Sequence, residues 1–189
     1  GGSSDDTVLQ ARDLCDRVLD APRGRARQMN AGAAVARGRL LLFLHADTQL
    51  PADAFAMLDA LVDMPRLWGR FDVKIDGAHP LLPVIAAAMN RRSRWTGVAT
   101  GDQALFVSRE LFSLIGGFPD IALMEDVALS KRLRRQCPPR CLRAQVLTSG
   151  RRWLRGGVLR TVLLMWSLRL AYVLGVAPTT LARWYRHAR

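Results

Sequence analysis

The stretch LLFLHADTQLP (residues 41–51) combines a strand-length run of apolar residues with an abrupt polar end. A continuous apolar run of this length is typical of a strand that is covered on both faces, as in the parallel sheets of α/β proteins. His45 and Asp47 follow the run directly, and Pro51 stands where a helix can begin. The stretch therefore predicts a buried strand that presents an acid at its open end.

Helical and strand-like patterns alternate on both sides of this stretch. Strands are predicted at 39–45, 70–76, 99–108 and 140–149, and helices at 5–21, 23–38, 52–64, 79–95, 109–117, 125–136, 157–174 and from 178 onward. Ser3 or Ser4 is the predicted cap of the first helix. Strands that alternate with helices predict an α/β fold with a mostly parallel sheet, in which ligands gather at the carboxyl ends of the strands. Asp47 lies at such an end.

The segment RFDVKID (70–76) alternates strictly between charged and apolar residues. Phe71, Val73 and Ile75 share one face of the predicted strand, and the charged residues between them share the other. This pattern predicts a half-buried strand, with one face in the core and the other in water.

The charge of the chain is high and unevenly placed. The net charge is +12, and no Asp or Glu follows Asp126, so the C-terminal third is strongly basic. This composition favours anionic partners: nucleotide phosphates, nucleic acid or an acidic membrane surface. No nucleic-acid-binding motif accompanies the charge, which argues against nucleic acid. Cys15, Cys137 and Cys141 lack the spacing of a metal site, and no signal peptide is visible, so the sequence predicts reduced thiols in a cytoplasmic protein.

Two segments near the first predicted strands are candidates for ligand binding, and each has a structural alternative. An acid after a strand, such as Asp47, can cap a helix, form a turn, or bind a divalent cation together with a diphosphate. The segment GRARQMNAG (24–32) places basic and amide side chains at a helix start, where they would bind an anion or form a solvated basic face. These side chains are Arg25, Arg27, Gln28 and Asn30.

Two later segments are candidates for chemistry. MEDVALSKRL places Glu125 and Asp126 in the first turn of a helix, where acids are favoured electrostatically but where a carboxylate could also take a proton from an acceptor hydroxyl. TSGRRWLRGG sets two arginines and a tryptophan after a predicted strand. Arg151 and Arg152 would neutralise a diphosphate, and Trp153 would stack on a sugar or pack in the core.

The order of these segments carries more information than any one of them. GGSSDDT, RARQMNAG, LHAD, GDQALF, GGFPDIALMEDVALSKRL and RRW, in this order, resemble the family-2 glycosyltransferases of GT-A fold, over nearly the whole chain. Within that family they look like a bacterial subgroup associated with radical-SAM and selenium-related gene neighbourhoods. The resemblance implies a Rossmann-like three-layer sandwich over 1–150 and a basic helical extension over 151–189. The family's first two strands, which hold the nucleobase and ribose, would precede Gly1.

The resemblance also implies a reaction, the inverting transfer of a sugar from a nucleotide-diphospho-sugar to an acceptor hydroxyl with Mn²⁺ or Mg²⁺. Asp47 matches the acid of the family's D-x-D element that binds the metal and the donor diphosphate, while His45 stands where the first acid is expected. Asp126 matches the general base, with Glu125 as a supporting group. The other implied positions are Arg25, Arg27, Asn30 and Arg152 on the donor side, and Asp102, Gln103 and Trp153 on the acceptor side. A non-catalytic relative that binds nucleotide-sugars or membranes is the alternative, since His45 replaces an acid.

The segment GVLRTVLLMWSLRLAYVLGV (157–176) is mostly apolar but contains Arg160 and Arg169. Two arginines make a membrane-spanning helix the least favoured of three interpretations. The others are a helix packed on the protein or on another subunit, and a helix that lies on an anionic membrane. The sequence thus allows a cytoplasmic protein with peripheral contact at the inner membrane face.

Overall fold

The computed structural model describes residue 2 and residues 6–187, and within them five strands form one sheet. The strands are β1 (Leu40–Phe43), β2 (Thr48–Gln49), β3 (Trp68–Ile75), β4 (Leu105–Ser108) and β5 (Arg140–Thr148). The helices are α1 (Thr7–Arg12), α2 (Arg25–Val35), α3 (Ala54–Asp59), α4 (Leu81–Thr96), α5 (Arg109–Leu114), α6 (Glu125–Leu133), α7 (Arg151–Gly156), α8 (Val158–Val173) and α9 (Pro178–His187), with a 3-10 turn at Gly101–Gln103. The fold is therefore mixed α/β, as predicted.

The sheet is mixed and mostly antiparallel, so the prediction of a mostly parallel sheet is wrong. The strand order is β1-β4-β3-β5-β2, and only β3 and β5 pair in parallel. The chain leaves α4 through Gly97, whose φ is 62°, and passes through the 3-10 turn, so β4 runs back between β1 and β3. A strand that follows a helix is usually parallel to the strand before that helix. β4 follows α4 but is antiparallel to β3, and the alternation of strands with helices in the sequence gives no sign of this reversal.

This topology still collects the polar loops at one edge of the sheet. β1, β3 and β5 point the same way, so their carboxyl ends lie at the edge where the antiparallel β4 begins. The short strand β2, which follows β1, pairs with the end of β5, where the hydroxyls of Thr48 and Thr148 are 3.0 Å apart. The Ser149 N–H donates to the Asp47 carbonyl at 3.1 Å. The loop that carries Asp47 is thus fixed beside the start of α7.

Strand β1 has apolar contacts on both faces, which confirms the interpretation of its sequence. Leu41 and Phe43 pack in one core cluster with residues of α2 and α5, while Leu40 and Leu42 pack in a second cluster with residues of α3 and α4. Because side chains alternate across a strand, one short apolar run serves both clusters.

The prediction that the charged face of β3 lies in water is wrong for Arg70 and Asp72, which are buried, whereas Lys74 on the same face is exposed. Arg70 is fully buried, and Asp72 is buried beside it. Arg70 donates to the Ser93 hydroxyl at 3.0 Å and also pairs with Asp72, which a second guanidinium, that of Arg94, approaches at 2.7 Å. Buried charges persist when they are paired and hydrogen-bonded, and α4 supplies both kinds of partner here.

Helices α1 and α3 fall furthest short of their predicted lengths. Helix α1 covers only Thr7–Arg12 and has no buried residue, and Leu14 after it is exposed. A helix this short gains little without packing. The predicted cap at Ser3 or Ser4 lies outside the described residues. Helix α3 ends at Asp59 and continues as turns towards residue 64.

The C-terminal helices pack onto the beginning of α6. Leu168 of α8 and Leu181 of α9 are buried in one cluster with Met124 and Val127. The Lys131 ammonium also lies 5.0 Å from the centre of the Tyr172 ring. Across the part of the chain that the structure describes, no helix is both long and apolar enough to cross a membrane.

Candidate functional site

Three segments that are distant in sequence meet at Gly101. The Gly101 N–H donates to Oδ2 of Asp126 at 3.0 Å. The His45 ring lies against the same glycine, so closely that a Cβ at position 101 would stand 2.3 Å from His45 Nε2. The loop after β1, the 3-10 turn before β4 and the start of α6 are thereby held together.

Asp126 is anchored through both carboxylate oxygens. It is the second residue of α6, and its Oδ1 accepts the Val127 N–H at 2.7 Å while Oδ2 accepts that of Gly101. The N-terminus of a helix favours a negative charge. The side chain is half-buried, so it combines a fixed orientation with access from solvent.

Glu125 is buried and paired with a residue of α2. Its Oε1 lies 2.8 Å from Arg25 Nε, and its Oε2 is buried with no hydrogen-bond partner among the described residues. Burial raises the pKa of Glu125, Arg25 opposes this shift, and the neighbouring Asp126 adds to it. Glu125 therefore connects α2 to the start of α6, and Arg25 is engaged in that connection.

The other two predicted donor-side residues of α2 hold the loop before α6. Arg27 Nε lies 2.9 Å from both carboxylate oxygens of Asp120, which raises the pKa of Arg27 and lowers that of Asp120. This pair is exposed and contributes little to stability. The Asn30 amide donates to the Phe118 carbonyl at 2.9 Å and accepts the Phe118 N–H at 3.0 Å. Both side chains thus have structural partners.

Asp47 lies just before β2 and the RRW segment just after its neighbour β5, and the Ser149 N–H joins their loops by donating to the Asp47 carbonyl. Asp47 is exposed, and its carboxylate has no hydrogen-bond or ion-pair partner among residues 6–187. Arg152, also exposed, has its guanidinium carbon 5.9 Å from the Tyr185 ring centre. Trp153 packs against the second core cluster, so its indole is committed at least in part to the core.

The two predicted acceptor-side residues of the 3-10 turn differ in their surroundings. Gln103 is fully buried, accepts the Thr100 N–H at 3.2 Å and donates to Asn90 Oδ1 at 3.3 Å. Gln103 is therefore part of the scaffold. Asp102 is half-buried, and its Oδ1 is a buried acceptor with no partner among the described residues.

The structure adds two arginines that the sequence analysis did not assign to the site. Arg92 of α4 and Arg169 of α8 both interact electrostatically with Asp102 and Asp126. Burial and repulsion by Arg169 lower the pKa of Arg92 to about 10, and burial lowers that of Arg169, while the two aspartates oppose both shifts. The sequence signal for Arg169 was its position inside an apolar helix. Arg92 stands in a basic helix end and gives no such signal.

The side chains of the loop after β1 could hold a divalent cation only if a phosphate ligand supplied further oxygens to it. Among the described residues no three His, Cys, Asp or Glu side chains converge as in a metal site. Asp47 offers one exposed carboxylate, with the His45 imidazole two residues earlier. Mg²⁺ in phosphate-handling sites is commonly held by one or two carboxylates together with phosphate oxygens and water. The donor set at this loop therefore suits a cation that binds with a diphosphate.

A mixed α/β domain whose polar loops meet at one sheet edge is consistent with a domain of the GT-A type. The family model of glycosyl transferase family 2 matches residues 1–106, and the chain belongs to this family. No curated protein matches the chain. The matched residues include His45, Asp47 and Asp102 and end before Asp126, so the assignment of a base depends on the geometry around Gly101.

Proposed function

We propose that the chain is an inverting glycosyltransferase that moves a sugar from a nucleotide-diphospho-sugar to an acceptor hydroxyl. The observation that carries this proposal is the junction at Gly101, where Asp126 accepts the backbone N–H and the His45 ring lies alongside. This contact supports the proposal because Asp126, which we assign as the base, and His45, in the segment that the resemblance assigns to the donor diphosphate, both lie against Gly101. Membership in glycosyl transferase family 2 supports the reaction class.

In the proposed mechanism Asp126 is the general base. It takes the proton of the acceptor hydroxyl as that oxygen attacks the anomeric carbon, and the bonding electrons of the broken C–O bond leave with the diphosphate. The N–H groups of Gly101 and Val127 fix the orientation of the carboxylate. Glu125 is a positioning residue, because it is buried and paired with Arg25 and connects α6 to α2.

On the donor side, Asp47 would hold Mn²⁺ or Mg²⁺ together with the diphosphate, with His45 beside it. When bound, the cation would neutralise negative charge on the leaving group. Of the three arginines, we assign Arg152 to assist, because Arg25 and Arg27 already pair with carboxylates whereas Arg152 lies near an aromatic ring.

The proposal is tested by screening the protein, with and without Mn²⁺, against a panel of nucleotide-sugars. At least one donor is expected to raise the melting temperature in the presence of Mn²⁺ and to release its nucleoside diphosphate. Ligand at 100 times its Kd stabilises a protein by about 2.7 kcal/mol, which is readily measured. A thermal shift without release of diphosphate would favour the non-catalytic relative, and neither effect with any donor would contradict the proposal.

Gly101→Ala is expected to lower kcat/KM for the donor about 10²-fold without unfolding the protein. The new Cβ would overlap His45 Nε2 and Cε1, at 2.3 and 2.6 Å, so the half-buried ring must swing away from the junction. A displacement of about 1 Å near reacting groups can cost this factor in rate. The matched control is Gly32→Ala within α2, where the added methyl meets nothing within 4 Å. Equal kcat/KM in both variants would remove the proposed role of the junction.

We further propose that the outer face of α8 contacts an anionic membrane surface. This outer face consists of five apolar side chains spaced by four and three residues, each 61–74% exposed: Leu159, Leu163, Trp166, Leu170 and Val173. The opposite face of α8 is already packed on α6 and α9. The sequence from 151 to 189 contains eight arginines and no acid, so an anionic lipid surface complements it, whereas a second copy would bring like charges together.

The double variant Leu163→Gln/Trp166→Gln is expected to lose most binding to phosphatidylglycerol vesicles in a co-sedimentation assay. The wild type is expected to bind them, to bind phosphatidylcholine vesicles weakly, and to dissociate as salt is raised. Leu114→Gln, on the exposed side of α5, is the matched control and should bind like the wild type. Vesicle binding that survives the double variant, or a dimer that this variant dissociates, would contradict membrane contact through α8.

A further inference from the structure

Four charged side chains from four elements of the fold, one of them the proposed base, interact with one another. They are Arg92 of α4, Asp102 of the 3-10 turn, Asp126 of α6 and Arg169 of α8, and each arginine interacts electrostatically with both aspartates. Among the described residues, none of the four takes part in a direct ion pair. The cluster therefore has two positive and two negative groups that are close enough to interact but are not joined to each other.

Two residues of this cluster, Arg92 and Asp102, have buried polar atoms that lack hydrogen-bond partners among the described residues. Nε and Nη2 of Arg92 are buried donors, and Oδ1 of Asp102 is a buried acceptor, and none of them has a hydrogen-bond partner among the described residues. Buried polar groups in folded proteins are nearly always satisfied by protein, water or ligand. Arg92 and Asp102 are each half-buried, so each side chain has other atoms at the surface in addition to these buried ones.

The charge balance and the unpaired atoms together restrict the chemistry of a ligand. The two aspartates and the two arginines offset each other in charge, so the cluster gives neither an anion nor a cation a net electrostatic advantage. A guanidinium offers only donors and a carboxylate only acceptors, so one group that serves both must accept and donate. A hydroxyl does both, and a molecule with neighbouring hydroxyls can serve Arg92, Asp102 and Asp126 at once.

We propose that Arg92 and Asp102 form an acceptor-binding pair for a polyol or saccharide. One hydroxyl of the acceptor lies at Asp126, and a neighbouring hydroxyl accepts from Arg92 and donates to Asp102. Arg169 closes the same cluster from α8, so the C-terminal helices complete the acceptor side. The inference rests on the proposed function, because Asp126 as the base determines which hydroxyl reacts.

Saturation-transfer NMR with methyl α-glucoside tests the pair without requiring turnover. Wild type is expected to give saturation transfer to the glucoside and not to propan-1-ol at the same concentration. Arg92→Gln and Asp102→Asn should each weaken glucoside binding about tenfold or more. Arg91→Gln is the matched control on the same helix, because Arg91 is exposed and stacks 4.5 Å from the Trp95 ring centre. It should bind like the wild type.

The result that would overturn the inference is equal transfer to the glucoside in wild type, Arg92→Gln and Asp102→Asn. If the wild type bound inorganic phosphate and Arg92→Gln abolished that binding, the inference would also be overturned, because the site would then prefer anions to hydroxyls. Arg92→Lys keeps the charge with fewer donors and should bind with intermediate affinity, which separates a ligand role from a folding defect. Glucoside binding through Arg92 and Asp102 does not require proton transfer, so it can persist even if Asp126→Asn turns over at the wild-type rate, and failure of the catalytic proposal and failure of this one give different results.

Discussion

Asp126→Asn is expected to lower turnover by a factor of about 10²–10⁴, the usual cost of losing a general base. Asparagine keeps the size of the side chain, and its carbonyl oxygen can still accept the Gly101 N–H that Asp126 accepts at 3.0 Å, while its amide nitrogen cannot accept the Val127 N–H. The junction should therefore persist while the ability to take a proton is lost. The measurement is the rate of nucleoside diphosphate release at saturating donor and acceptor, together with the Kd for the nucleoside diphosphate in Mn²⁺.

The control for this change is Asp120→Asn, which removes an equal charge from the exposed ion pair with Arg27. It should leave turnover near the wild-type value, since exposed pairs contribute little. Glu125→Gln separates the two acids of the ED motif. Glu125 is a positioning residue that pairs with Arg25, so Glu125→Gln should lower turnover less than Asp126→Asn does. If Asp126→Asn turned over at the wild-type rate, another group would have to be the base.

The pattern of apolar residues predicts where the strands lie better than how they pair. The run at 39–45 and the alternation at 70–76 each correspond to a strand, β1 and β3. In both strands successive side chains point to opposite faces of the sheet and contact the layers on either side. The direction of β4 depends on a turn after α4 that uses a left-handed Gly97, and nothing in the apolar pattern of 99–108 specifies it.

Burial of charge is the second property that the sequence pattern did not predict. An alternating strand is normally interpreted as having one wet face, yet Arg70 is fully buried because Asp72, Ser93 and the Asn90 carbonyl satisfy it. Whether a charged side chain finds such partners depends on α4, which lies elsewhere in the sequence. The same limitation explains why Arg92 was not assigned to the site.

The candidate site was predictable to the extent that its residues stand at the ends of strands. His45 and Asp102 come from segments that end or begin strands at one edge, and the topology brings both to Asp126. Fine assignments within the segments were less predictable. Gln103, next to Asp102, faces the interior and is fully buried, because consecutive side chains of a 3-10 turn point about 120° apart and so meet different surroundings.

Asp47→Ala is expected to remove the Mn²⁺-dependent part of nucleoside diphosphate binding. With one carboxylate at the proposed cation position and no cluster of three ligating side chains among the described residues, the cation depends on this single carboxylate and on the diphosphate. Substitution of groups that only support a metal ligand already costs 10–100-fold in affinity, so loss of the ligand itself should cost at least about that much. Calorimetric titration of UDP and GDP in Mn²⁺ and in EDTA measures the difference.

The variant that makes this experiment decisive is Asp53→Ala, which removes an equal charge from the same region. Asp53 is exposed, and its side chain makes no capping hydrogen bond to α3. If long-range charge alone governed binding, the two variants would behave alike. If Asp47 holds the cation, only Asp47→Ala should bind the diphosphate equally in Mn²⁺ and in EDTA. His45→Ala then measures what the imidazole adds: an intermediate affinity would make it a contributor to the cation site, whereas unchanged affinity would confine its role to the junction with Gly101.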